Sequence, residues 1–175
     1  MKMKLLAAYL LTPVHVWAQR NLVAWANSQA MCSSFKSEVM KGIHALGTTV
    51  TRGGTGADTI KAALFLASAS IGAATATYSA TGEVTGTNYS AGGVTVTNAN
   101  APTTSGTTGI WTPSANIVYT NVTLSTAFDA VLLYNSSQGD KAISSHTFGS
   151  QTVTAGNFTL TMPTNDASNA LVRIA

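Results

Sequence analysis

Residues 116–148 read NIVYTNVTLSTAFDAVLLYNSSQGDKAISSHTF, and the fold class is decided there. From Asn116 to Leu124 the residues alternate. Ile117, Tyr119, Asn121 and Thr123 fall on one face, and Val118, Thr120, Val122 and Leu124 on the other, the period of a pleated strand. Phe128–Tyr134 reads as a continuous apolar strand. Asn135–Lys141 is a turn built from Asn, Ser, Gly and Asp, residues that tolerate left-handed or Asx geometry. Ala142–Phe148 then resumes the strand pattern.

The same grammar extends both ways. Ile60–Ala67 is a buried-type apolar run, and Thr75–Thr85 alternates weakly around Ala76, Tyr78 and Val84. Gly92-Gly93 leads into a strand at Val94–Thr97, Asn98–Gly109 reads as a Pro/Thr/Gly loop, and Phe158–Met162 and Leu171–Ile174 complete the set. Short strands separated by turn signals at this spacing predict a mainly β chain, an antiparallel β-sandwich of the immunoglobulin-like or jelly-roll-like kind. Ahead of it, residues 33–46 predict one amphipathic helix with Phe35, Val39, Ile43 and Leu46 on a stripe and Met40 beside it. Ser33 or Ser34 would cap its start and Gly47 its end, and Gly42 inside it costs about 1 kcal/mol against Ala. The chain therefore divides into an N-terminal extension at 1–30, a helix and Gly-rich connector at 31–58, and the sandwich at 59–175.

Composition narrows the function classes. Apolar residues make up 45% of the 175 residues and charged residues only 9%, against roughly 25% charged in ordinary soluble domains. Thr, Ser, Asn, Ala and Gly take their place, as in proteins whose surfaces are covered by neighbours in large assemblies. The net charge of +3 is unevenly spread: residues 1–52 hold six basic side chains against Glu38, while residues 53–175 hold three against five acidic ones. The bulk of the chain thus lacks the basic footprint of a nucleic-acid binder. Cys32 is the sole cysteine, which excludes an internal disulfide and reads as a small buried hydrophobe. Lys2, Lys4, the apolar run Leu5–Leu11 and Val16-Trp17-Ala18 outline a secretory leader, interrupted by Thr12, Pro13 and His15. The competing reading makes 1–30 an arm or an over-extended start before Met31. Neither reading supplies the roughly 18 uninterrupted apolar residues of a membrane span.

Catalytic signatures are weak. His15 lies in the leader, His44 on the helix, and His146 between Ser145 and Thr147 on a strand. No Gly-x-Ser-x-Gly occurs, and Thr51–Gly56 (TRGGTG) lacks the Lys-Ser/Thr ending of a phosphate loop. Asp58, Glu83, Asp129, Asp140 and Asp166 are scattered rather than paired as glycoside hydrolysis requires. Trp111, Tyr89 and Tyr119 could stack on a sugar, though separated aromatics fit core or rim packing equally. Asn-x-Ser/Thr triplets begin at Asn88, Asn121, Asn135 and Asn157, as expected by chance in such a composition. Neither an enzyme nor a cofactor or metal site is expected.

From Met31 onward, an order of short pieces carries a resemblance. The pieces are the Ser34-Phe35-Lys36 helix, Ile60–Ala67 (IKAALFLA), Tyr78–Val84 (YSATGEV), Asn88–Gly93 (NYSAGG), Leu133–Ser136 (LYNS), and a closing TAGNFTLTMP…ALVRIA from Thr154 to Ala175. In these the chain resembles a family of small structural proteins of tailed bacteriophages, abundant in marine and environmental phage genomes. The resemblance implies a virion protein without catalytic residues, a capsid decoration or cement subunit or else a tail, neck or fibre component. Its partners would be the major capsid protein or other virion proteins, in a homo-oligomer. Phe35, Val39, Met40, Ile43 and Leu46 would form its docking face. The alternative is a secreted carbohydrate-binding module.

Overall fold

The computed structural model describes residues 27–40, 42–47 and 56–175. Its elements are β1 (Ala30–Met31), α1 (Ser33–Met40), β2 (Ile60–Leu66), β3 (Val94–Thr95), β4 (Thr103–Ser105), β5 (Thr108–Trp111), β6 (Ile117–Asn135), β7 (Lys141–Leu160) and β8 (Val172–Ile174). A five-stranded sheet has the order β1-β7-β6-β2-β3, and a three-stranded sheet the order β4-β5-β8, with every pairing antiparallel. Trp111 and Val172 of the small sheet join Phe65, Leu132 and Phe128 of the large one in a single apolar cluster, which also takes in Phe35 and Leu46. The expected antiparallel, sandwich-like β architecture with one short helix is what the chain adopts.

The turn at 135–141 forms as its residues require. Ser136–Gln138 make a short 3-10 turn, the Asn135 side chain accepts from the Ser137 N–H, and Gly139 and Asp140 take positive φ of 67° and 58°. The strands on either side run further than expected. Asn116–Leu124 and Phe128–Tyr134 are one strand, β6, and Ala142–Phe148 and Phe158–Met162 are joined in β7. Bulges allow this continuity. The register shifts between Tyr119 and Val122, where Asn121 sits at φ 51°. An extra residue on one strand turns the side chains beyond it to the opposite face. The buried set therefore changes from Ile117 and Tyr119 to Val122 and Leu124, and Asn121 is exposed instead of sharing the face of Ile117.

Three further expectations are corrected. Thr75–Thr85 forms no strand. Its backbone is shared out between Lys141, through an isolated bridge at Thr77, and β2, through bridges and bonds at Gly82, Glu83 and Val84. Asn98–Gly109 is not all loop, because β4 and β5 form a hairpin there with Gly106 at φ 61°; strands of three and four residues are too short to show a period. The helix stops at Met40 rather than Leu46. Gly42 takes φ 66°, its N–H donates to Val39 O, and the Ile43 N–H donates to Glu38 O, each at 3.0 Å. This 6→1 and 5→2 pair is a Schellman ending, so Gly42 is the terminating residue and not an interior cost. Ile43–Leu46 follow as a non-helical strap, and Gly47 lies against the Asn100–Ala101 backbone. Residues 1–26, including His15, and most of the Thr48–Asp58 connector lie outside the described residues.

Gly93 shows the closest backbone approach that requires glycine. It lies at φ 69°, and a Cβ there would overlap the Ala62 carbonyl of β2. Gly93→Ala is expected to lower the unfolding free energy by about 3 kcal/mol through strain plus overlap. Gly106→Ala, at φ 61° in open space, should lose only about 1 kcal/mol. Urea unfolding of the two variants checks the contrast.

Candidate functional site

Two carboxylates in this charge-poor chain are buried, and each anchors a polar cluster. Glu83 belongs to YSATGEV. The Tyr78 hydroxyl donates to it at 2.5 Å, the Tyr89 hydroxyl at 2.7 Å and the Gly92 N–H at 2.8 Å. Tyr89 also accepts from the Leu64 N–H at 3.0 Å, which ties the cluster to β2. The rings of Tyr78 and Tyr134 stack at 4.6 Å, those of Tyr89 and Tyr119 at 5.9 Å, and Tyr134 donates to Gly92 O at 2.8 Å. Burial pushes the Tyr134 phenol up to about 12, and with the neighbouring Glu83 it holds Tyr78, Tyr89 and Tyr119 well above the ordinary range. All four stay neutral donors. YSATGEV and NYSAGG are thus two halves of one clasp fastening the long β2–β3 connection to the sheet.

Glu38 anchors the second cluster. It accepts from His44 Nε2–H at 2.8 Å and from Lys141 Nζ at 3.0 Å. Asn135 Nδ2 donates to His44 Nδ1 at 3.0 Å and to Asp58 Oδ2 at 2.7 Å. Asp58 also accepts from the Ala45 N–H at 2.7 Å and from Gln138 Nε2 at 3.1 Å. The cluster pins α1 and the strap after it to the β6–β7 turn. Burial pushes the His44 imidazole below its usual range, against the pull of Glu38 and Asp58. Burial alone would raise Glu38, but its hydrogen bonds from His44 and Lys141 outweigh that and lower it. The sequence held a signal for this cluster: Glu38 stands three residues after Phe35, on the same helix face.

Of the four docking candidates whose side chains are described, Phe35, Val39 and Leu46 line one apolar groove and Ile43 does not. Phe35, 1% exposed, and Leu46 are in the core, with the Phe35 ring 4.8 Å from His44. Ile43 is half-buried on the strap, and the Met40 side chain lies outside the described residues. Val39 is 38% exposed. It flanks an apolar groove of about 150 Å³ lined by Phe35, Val39, Ile110, Trp111, Val172 and the exposed Ile174.

Other candidates resolve as plainly. Ser144 Oγ lies 2.9 Å from His146 Nε2, but Ser144 is buried, and burial drives His146 down to about 4. Among the described residues no carboxylate hydrogen-bonds to that ring, so the pair lacks the orienting third group of a nucleophile–base system. Trp111 is buried, donating Nε1–H to Asn98 Oδ1 and Asn100 O, and Tyr119 is buried with its hydroxyl on Ala62 O. Neither presents a face to a sugar. Among the described residues no three metal-ligating side chains converge, and no helix is long and apolar enough to cross a membrane.

The β7 edge was not foreseen. Among the described residues β1 covers β7 only at Ser144 and Ser145. Beyond them runs Thr147–Leu160, TFGSQTVTAGNFTL, without one charged residue and exposed over most of its length.

Replacing Glu83 with Ala would strand two tyrosine hydroxyls and the Gly92 N–H, at a cost of about 3 kcal/mol or more. Phe35→Ala should cost about 3 kcal/mol as a core truncation. Thermal and chemical unfolding measure both, and a fully stable Phe35→Ala protein would return that residue to the surface. No family model, curated protein or solved structure matches the chain, so its function is read from this geometry.

Proposed function

We propose that the chain is a structural subunit of a virion, a capsid decoration or cement protein acting by multi-copy binding to the head. The observation that carries this is the β7 edge. Free-standing β proteins blunt an open edge with charge, Pro or bulges, because unpaired N–H and C=O groups recruit further strands; the β6–β7 pair is bulged, but neither charge nor Pro guards the edge. Thr147–Leu160 carries no such residue, which suits a strand that a neighbour covers. Backbone pairing along such an edge gives modest affinity per copy, and repetition over a shell multiplies it. The partner is the major capsid protein or another virion protein, with homo-oligomer contacts between subunits. A tail, neck or fibre position is the alternative, which ring assembly by the purified protein would favour. The burial of Trp111 and Tyr119 weighs against the alternative of a secreted carbohydrate-binding module.

The test is a charged edge. Thr152 and Thr154 are exposed on β7, so Thr152→Lys with Thr154→Lys should leave the melting temperature within a few degrees. Occupancy on heads lacking the native subunit should fall about tenfold or more. Quantitative mass spectrometry of the purified particles reads the copy number. Unchanged occupancy, or absence of the wild-type chain from particles, sinks the proposal.

A further inference from the structure

The Glu38 cluster has a polarity that only neutral His44 satisfies. Its Nε2–H donates to Glu38, so Nδ1 must accept, and the donor it meets is Asn135 Nδ2 at 3.0 Å. Asn135 cannot reverse its amide to suit a second N–H. Its Oδ1 accepts from the Ser137 N–H at 3.1 Å, and its Nδ2 also donates to Asp58. Turning the amide would set oxygen against the Asp58 carboxylate and uncap the 3-10 turn. A proton on Nδ1 therefore places N–H against NH2 around a side chain that solvent does not reach. Among the described residues the charged groups facing the ring are Glu38 from α1, Asp58 from the connector and Lys141 from β7, with the Cys32 thiol beside Glu38. The two carboxylates favour the proton, while burial and the Lys141 cation oppose it.

We propose that His44 is the trigger of an acid-opened latch. On protonation it releases α1 and the Ile43–Leu46 strap from the β6–β7 turn, and so loosens the wall that Phe35, Val39, His44 and Leu46 give the apolar groove against Trp111. Among the described residues, the side-chain bonds from Asn135, Gln138 and Lys141 that hold α1, the strap and the connector end on Glu38, His44 and Asp58. The sign follows from linkage. His44 is depressed in the folded state, so its contribution is complete above its ordinary value of 6.5 and is lost as pH falls below it. Glu38, also lowered, adds a loss in the same direction as pH falls from 4.5.

Hydrogen exchange of the full chain, corrected for intrinsic rates, tests this. Between pH 7 and pH 5, protection of residues 33–47 should fall about tenfold, while residues 128–135 of β6 hold. His44→Gln keeps a donor for Glu38 but cannot titrate, and its protection should not change over that range. Unchanged wild-type protection, or the same step in His44→Gln, overturns the latch. If that variant does not fold, the histidine resonances of the wild type decide. Titration of His44 below 6.5, in step with the exchange, supports the latch, and titration above 6.5 overturns it.

Discussion

The antiparallel pairing of β6 with β7 is the constraint on which the remaining parts depend. β2 lies along one side of the pair, with Ile60 opposite Asn135 and Leu66 opposite Phe128, and β1 touches the other side at Ser144 and Ser145. The turn that closes the pair supplies Asn135, Gln138 and Lys141, the groups that hold α1 and its strap. β6 also places Tyr119 and Tyr134 against the Glu83 clasp. Two strands of 19 and 20 residues would twist away from a compact core if they were regular. The register shifts along them re-aim the side chains, so that Phe128, Phe148 and Phe158 meet in one aromatic cluster.

How far this was legible in the sequence depended on whether a signal was local. The apolar run of β2, the Asn-Ser-Gly-Asp turn and the closing strand each announce themselves within a few residues, and each stands close to where it was read. Bulges do not announce themselves. Asn121 at φ 51° has an ordinary residue for such a place, but only pairing with β7 reveals that the count of two is broken there. The end of the helix is hidden for a related reason. Phe35, Val39, Ile43 and Leu46 keep a helical spacing even though the helix ends at Met40, because strap residues can meet the core in another conformation. Gly42 was the competing signal, and its left-handed conformation prevailed.

The candidate sites were less legible than the fold, because both buried carboxylates depend on partners far away in sequence. Glu38 reads as the one acidic residue in a basic N-terminal region, and Glu83 as one of several scattered acids. Nothing local indicates that Lys141 and Asn135 will meet the first. YSATGEV and NYSAGG were noticed as pieces of a pattern; the physical content of that pattern is a carboxylate whose oxygens take two tyrosine hydroxyls and a glycine N–H. Giving each buried carboxylate its donors, two hydroxyls and an N–H for Glu83 and a histidine and a lysine for Glu38, removes the penalty of leaving it unpaired, and it fixes the path of the loops that carry those donors.

Two carboxylates of this charge-poor chain are buried, while a long exposed edge segment carries no charge. Glu38 and Glu83 lie inside, and Arg173 is turned back onto the carbonyls of Ala167 and Ser168, while the exposed Thr147–Leu160 segment of β7 has no charge at all. In a free monomer this would put charge where desolvation is costly and leave bare the edge that invites pairing. In a subunit held among neighbours the same choices are coherent. The buried carboxylates fix one loop path and one position for α1, giving a rigid body. An uncharged edge can be buried against a neighbouring strand without stranding an ion, so rigidity inside and neutrality at the edge are the two properties that the proposed assembly role would require.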